Sequence, residues 1–591
     1  MKKIILFLAL TLAVSSAASA QIKVDFNEFR AETGGEKNTT VIFNALLDAY
    51  KGVDGLTVTF HDERYDFYPV EQEEGVRCAG MDLSGIDGLT IEGNGAEFIF
   101  HGKMGISLIR ECSGITMKDF SMDWDRPIIS QGEVLDVTDD YLDLSIDGRE
   151  YPHYLTDGHL MFTGEGWESP IIPLFDTIYD SNGDVQYNTW DGTFGKDLAN
   201  APVEKIGEDR YRFHFQPKYK PAMGSYILLF NGHYEAYGIR ALRSRDLRFE
   251  NLTMYHAMGA GITGDFCENV TEINVRIIAN KAKGRMFSTE ADAQHYRNCK
   301  GLILMKGGEC SGQADDFVNV HGVYYKVLGI TGPKSLSVNK SYDFSPGEKV
   351  AFLHPVSGQR EYMLTVADSN DKEVIFEEEL PAAVDNTFYI ENYTWTPSFI
   401  FEDNNVTKGN RARGILFTTP KPVIIRNNHF HSAGTAILIE GDIDVWFESG
   451  ANGNVDIYGN VFDNCLTSGN REGGRWQWGD GIITITPSHR PVDAQAPAYH
   501  RNIRIHDNVF RMFDTSIMRA CSVDGLQFKR NTIVRTYDYK PYTYYKDSFT
   551  LEGCRNVVIK GNSIDKDYET RTISTTLMDR SEVRAKGFSV R

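Results

Sequence analysis

Five times in the last third of the chain, a short alternating apolar strand is followed by a polar residue, an asparagine and a second apolar start. VIIRNNHF occupies 423–430, VDIYGNVF 455–462, IRIHDNVF 503–510, LQFKRNTI 526–533 and VVIKGNSI 557–564. The alternation turns Val, Ile and Phe to one side of each strand and Arg, Lys and His to the other. The asparagines stand at 428, 460, 508, 531 and 562, and the step from Asn508 to Asn531 is 23 residues. A period in the low twenties, lengthened elsewhere by loops, belongs to a stacked solenoid, because one coil cannot bury its apolar edge alone. The asparagines should mark left-handed bends between strands and join into an amide ladder along the stack.

Weaker copies run through the first half: LTIEGNGAEFIF at 89–100, ITMKDFSM at 115–122, LRFENLTM at 247–254, TEINVRII at 271–278 and LILMKG at 302–307. Ahead of them, residues 40–47 read as a short helix suited to cap the first coil, since an open edge invites pairing with other chains. Two stretches lack the asparagine phrase and show alternating pieces between Gly- and Trp-containing loops. The pattern therefore predicts an all-β chain, a right-handed parallel β-helix carrying two inserted antiparallel β domains of barrel-like form. The expected division is a signal peptide at 1–20, a cap and first coils at 21–126, an insertion at 127–230, coils at 231–321, a second insertion at 322–391, and final coils with a tail at 392–591.

The remaining composition narrows the partners. Lys2 and Lys3 precede an apolar run, and Ala18-Ser19-Ala20 offers a small-residue cleavage site, so export to the periplasm or medium is expected. No second stretch is apolar and long enough to span a bilayer. With 82 acidic residues against 61 basic ones, the formal charge is -21, which disfavours nucleic acid and anionic membrane. Eight cysteines are too few for a disulfide scaffold. Cys112, Cys267, Cys299 and Cys554 each begin a strand pattern, as buried residues on successive turns would.

Candidate chemistry concentrates between Thr289 and Gly322. Asp292 stands one coil before the pair Asp315-Asp316, so three carboxylates should gather on one face of adjacent turns. Neighbouring residues of a regular strand point opposite ways, so both members of the pair face one cleft only if the backbone bends there, just after Gly312. Hydrolysis of a glycosidic bond needs a protonated carboxyl beside an ionised one, and crowding supplies the protonated partner. An ordinary β-turn and a Ca²⁺ site are the alternative readings of the cluster. His256, Lys283, Arg285 and His321 lie close enough in sequence to bind substrate hydroxyls or pair with the carboxylates. Trp446, beside Glu448, and Trp476 offer aromatic faces for a sugar.

The Asp…Asp-Asp…His-Gly order resembles polygalacturonases, but their Asn-Thr-Asp is here Glu290-Ala291-Asp292 and their uronate-binding Arg-Ile-Lys is missing. The chain is more similar, over nearly its whole length, to glycoside hydrolase family 110, the bacterial α-1,3-galactosidases. The stretch QADDFVNVHG at 313–322, the signal peptide and cap, and the two inserted β domains carry that resemblance. It implies an inverting, exo-acting enzyme that removes terminal α-1,3-linked galactose from glycans such as blood-group B structures, with no cofactor or catalytic metal. It also implies that Asp315 is the general acid and that Asp292 and Asp316 activate water. A glycosidase or lyase acting on another polysaccharide, or a non-catalytic glycan-binding β-helix, are the competing functions.

Overall fold

The computed structural model describes residues 22–71, 78–174, 177–189, 194, 196–407, 409, 411–468, 478–542 and 544–591. It is a parallel β-helix with two antiparallel insertions, the expected fold class. One sheet of 23 strands carries two strand columns side by side, and a second sheet of 14 strands carries the third. Along the third column, Ile262, Gln294, Val318, Ile415, Ile437 and Ile483 pair in register on successive coils. These residues are buried in the lumen. The residues that follow them (Thr263, His295, Asn319, Leu416, Leu438 and Thr484) turn to the opposite face by strand alternation.

The N-terminal end is closed as the pattern required. Asn38 caps a helix at Thr39–Ala49, accepting from the Thr40 N–H at 3.0 Å, and Ile42, Phe43 and Leu46 are buried. Among the described residues, no helix is long and apolar enough to cross a membrane.

The asparagine ladder is present and has one more rung than the repeated phrase showed. Asn428, Asn460, Asn508 and Asn531 each donate their backbone N–H to the side-chain carbonyl of the next asparagine, at 2.9–3.0 Å, ending on Asn562. Asn404 joins at the other end by donating to Asn428. Each amide nitrogen also reaches back to a strand carbonyl, as Asn460 does to Ile425 and Asn508 to Ile457, both at 2.9 Å. One detail differs from expectation. The left-handed residue is the one before each rung: Asp403, Asn427, Gly459, Asp507, Arg530 or Gly561. The bend frees the next amide to point inward along the stack, so a rung keeps ordinary backbone geometry. A stacked file of Phe430, Phe462 and Phe510 lies beside it, with ring centroids 5.2 and 4.7 Å apart.

The strand-initial cysteines form a smaller file. All eight are buried and none forms a disulfide, and Cys299 and Cys554 donate to carbonyls of the preceding coil, Gly264 at 3.5 Å and Ala520 at 3.4 Å.

Antiparallel pairing in the first insertion runs from Ile129–Val137 to Tyr226–Phe230, in a six-stranded sheet with a three-stranded one beside it. Its apolar residues, Leu142 and Phe213 among them, belong to the same core as the helix. The second insertion is a closed six-stranded barrel, from Tyr325–Gly332 to Tyr389–Asn392, with a separate core built on Val327, Val350, Phe352 and Ile390.

The ladder predicts a graded effect of substitution. Asn508→Ala leaves the buried Asn460 N–H without its acceptor and removes the amide bond to the Ile457 carbonyl, which should cost about 2–4 kcal/mol in urea unfolding. Asn562→Ala, at the partly exposed end, should cost clearly less. Equal costs at the two positions would contradict a cooperative buried ladder.

Candidate active site

Asp292 lies two residues before the strand Gln294–Arg297, Asp316 two before Val318–Val323, and Arg413 two before Ile415–Phe417. Because Gln294, Val318 and Ile415 are paired partners, these three charged residues hold one position on three successive coils. Asp315 joins them because residues 311–317 bend rather than run as a strand. One oxygen of each of Asp292, Asp315 and Asp316 lies within 4.8 Å of the others.

The three carboxylates have different surroundings. Arg413 clasps Asp316 with two guanidinium bonds of 2.8 and 2.7 Å, and adds its backbone N–H at 3.1 Å. The Asp316 backbone N–H donates to Asp292 Oδ1 at 3.1 Å. Asp315 has no such clasp: its nearest cation, Arg411, stands 3.8 Å away, and 30% of the side chain is exposed. Burial, then the charges of Asp316 and Asp292, push the Asp315 carboxyl well above the usual carboxylate range. Burial raises Asp316 too, but there Arg413 opposes it. Within this pair, Asp315 is therefore the carboxyl pushed further toward protonation.

Asp292 is anchored through two histidines. The Gly322 carbonyl can only accept, so His321 donates to it from Nδ1 at 2.6 Å. Its other nitrogen must then accept from His295 Nε2–H at 2.8 Å, which leaves His295 Nδ1 facing Asp292 Oδ2 at 2.8 Å. Burial drives His321 down to about 3, so it stays neutral. Burial also lowers His295, but the bond to Asp292 and its charge outweigh that and hold the imidazole above its usual value. The result is an imidazolium seated between a neutral imidazole and a carboxylate.

Three further elements close in on the cluster. The strand Glu448–Ser449 pairs antiparallel with Val323 and Gly322, and Asn319 donates to Glu448 at 3.0 Å. At the exit of the first insertion, Glu290 accepts from the Tyr234 N–H at 2.7 Å and sits 2.7 Å from His233. Tyr234 has φ 49°, a left-handed conformation that a bulky residue adopts at a cost. Trp478 carries the Arg411 and Arg413 guanidinium groups over its ring, at 4.8 and 5.4 Å. Cavities flank the cluster on both sides. One of about 300 Å³ is lined by Tyr234, Arg240, Asp292 and His295, and one of about 380 Å³ by Arg413, Glu440, Trp478 and Arg519.

The first insertion also sends a strap along the helix. After Ile178–Tyr179, Asn188 donates to Thr467 at 2.7 Å. Tyr187 stacks on Tyr539 and Tyr542 at 5.0 and 5.5 Å. On the opposite flank the barrel is tied to the last coils by Gln359, which donates to the Ala498 carbonyl at 2.8 Å.

Comparison with known proteins decides the family. Residues 130–227 match the family described as GLAA-B beta-barrel domain I, within the first insertion. The chain is 34% identical to Alpha-1,3-galactosidase B of Bacteroides thetaiotaomicron, covering 98% of this chain and 97% of that one. Alpha-1,3-galactosidase A of Bacteroides fragilis is 30% identical, with 99% of both chains covered. Alpha-1,3-galactosidase B of Phocaeicola vulgatus is 31% identical over 96% of this chain and 99% of its own. The chain belongs to the α-1,3-galactosidase family.

Within this family member, several residues singled out by sequence proximity are occupied elsewhere. His256 is fully buried, with Nδ1 2.7 Å from the Ser288 carbonyl and Nε2 accepting from the Ile128 N–H, so it ties the first insertion to the helix. Arg285 is also fully buried. Its donors go to Asp123, Glu150 and the Trp124 and Asp125 carbonyls, and the side chain has no exposed surface to offer a sugar. Lys283 pairs with Asp123 at 3.0 Å. His321 is at the site but acts through His295. Trp446 is 74% exposed on a loop whose N–H groups are gathered by Asp442. Trp476 lies outside the described residues. Trp478, which neighbours Trp476 in the same aromatic segment of the sequence, is at the site, whereas sequence reading missed Arg413, His295 and Glu440. Arg413 could have been found from its offset of two residues before an apolar strand, the offset it shares with Asp292 and Asp316.

The charged relay yields a pH-dependent prediction. His295 titrates above its unfolded value, so its contribution to stability is complete below about pH 6.5 and is lost as pH rises through the folded value. His295→Asn should therefore cost about 2 kcal/mol in unfolding measured near pH 6, and less near pH 9. A cost that grows with pH would reverse the assignment.

Proposed function

We propose that this protein is an exo-acting α-1,3-galactosidase that removes terminal α-linked galactose with inversion, from glycans such as blood-group B structures. The observation that carries the reading is the division of labour in the trio: Asp315 without a close cation and pushed furthest toward protonation, beside Asp316 clasped by Arg413 and Asp292 held by His295. The names of the nearly full-length relatives supply the linkage and the sugar.

In this reading Asp315 protonates the departing glycosidic oxygen, while Asp292 and Asp316 orient water and take its proton. The Arg413 clasp fixes Asp316 in place, and His295 holds Asp292 through its Nδ1. The oxygens stand closer together than the roughly 6.5–9.5 Å of a two-carboxylate inverting pair. Such spacing suits carboxylates that reach the departing and entering oxygens from one flank, so inversion rests on the family resemblance. The strap and the barrel flank the groove, which supports a pocket for a chain end over an open cleft for internal segments. With residues 1–20 read as a signal peptide, the enzyme meets its glycan outside the cytoplasm.

Proton NMR of 4-nitrophenyl α-galactoside hydrolysis should show β-galactose first, and α-galactose first would refute inversion. Asp315→Asn should lower kcat/KM by roughly 10²–10⁴-fold with the fold intact. Release of oligosaccharides from a long galactan, in place of single galactose units, would refute the exo reading.

A further inference from the structure

Glu440 ends the strand Ile437–Ile439 on the outward face, and it enters the 380 Å³ cavity beside Arg413, Leu438 and Trp478. Ile437 and Ile439 are buried in the lumen, so alternation sends Leu438 and Glu440 to the cavity side. Thr484 and Thr486 of the next coil line the same wall. The nearest cation is already committed, since the Arg413 guanidinium points both Nε and Nη2 at Asp316. Among the described residues, no side chain or backbone N–H donates to the Glu440 carboxylate. Its four lone-pair sites are left facing the cavity.

A carboxyl in this position is costly unless something else supplies donors. Burial raises it to about 7, with Arg413 opposing and Glu448, Asp442 and Asp316 adding to the shift. The neighbouring carboxylates do not share this condition: Asp316 has Arg413, Asp292 has His295, and Glu448 has Asn319. A group left without protein donors, in a cavity that shares Arg413 with the aspartate trio and has an indole in its wall, suits a ligand rich in hydroxyl donors with one apolar face.

We propose that Glu440 is a substrate-binding residue, whose carboxylate accepts hydrogen bonds from two vicinal hydroxyls of a pyranose held in this cavity with Trp478 in its wall. The inference rests on the galactosidase reading and extends it from the reacting atoms to sugar recognition. A carboxylate spans two adjacent hydroxyls as it spans two N–H groups of a guanidinium, and a site built on such contacts rejects a sugar that lacks either hydroxyl.

The test compares wild type, Glu440→Gln and Glu440→Ala on 4-nitrophenyl α-galactoside and on its 2-, 3-, 4- and 6-deoxy analogues, with thermal unfolding of each variant alongside. In the wild type, removing either hydroxyl held by Glu440 should lower kcat/KM by about 10–100-fold. In Glu440→Ala the penalty should vanish at two adjacent positions and persist at the others, while Glu440→Gln should lose only part of it. A variant that is merely less stable would slow all substrates alike and keep every penalty. That result, with an active wild type, overturns the role of Glu440 and leaves the galactosidase reading standing. A wild type inactive on every α-galactoside overturns both.

Discussion

A coil of this helix has no partners for most of its backbone N–H and C=O groups except the coil before and the coil after. Parallel pairing in register is therefore the constraint to which everything else conforms. At about 4.8 Å between strands, like falls on like: Ile on Ile along the lumen, Phe on Phe beside the ladder, and asparagine on asparagine in the bends. The amide ladder settles the bends, where strand pairing stops and backbone groups would otherwise be buried without partners. It also fixes the register, because a rung shifted by one residue would place an apolar side chain where the next coil needs an acceptor.

The same rule builds the site. Stacking in register puts Asp292 beneath Asp316 and Arg413 above it, so the cluster is a column of side chains contributed one per coil. A column of like charges opposes its own assembly, and this one is held by two cations placed differently. Arg413 continues the column and neutralises Asp316 from the adjoining coil. His295 lies on the outward face of the Asp292 strand and is held charged by Asp292, while neutral His321, anchored on a carbonyl, accepts its second N–H. Asp315 stands outside the column, in the bend, and is pushed further toward protonation than Asp316.

The helix was legible because its repeat is local: strand, bend and asparagine fit within eight residues, and the phrase recurs. The trio was legible for the same reason, as Asp292 and Asp316 are one uninterrupted coil apart. Arg413 is also a single coil from Asp316, but the barrel stands between them in the sequence and hides the period. Glu440 is hidden in the same way by the loops around it. The opposite error arose at His256 and Arg285. Both are close to Asp292 in sequence, but they face the junction with the first insertion, where buried Asp123 and the Ile128 N–H claim them. Sequence distance predicts contact along a column and fails where a foreign domain is spliced into the turn.

The position of the barrel has a consequence for the order in which a nascent chain matures. Asp316 and its counter-ion are 97 residues apart, and most of that interval, Tyr325 to Asn392, is a domain with a core of its own. A chain folding from its N-terminus lays down the coil bearing Asp315 and Asp316 as a bare growing edge, then completes the barrel, and only then adds the coil that brings Arg413. Until that coil docks, the carboxylates stand at an open, hydrated end with no guanidinium to distinguish one from another. The arrangement that sets Asp315 apart from Asp316 is therefore a property of a chain that already extends past the barrel. A truncated product that stops within or just after the barrel would carry all three aspartates and still lack a differentiated acid and base.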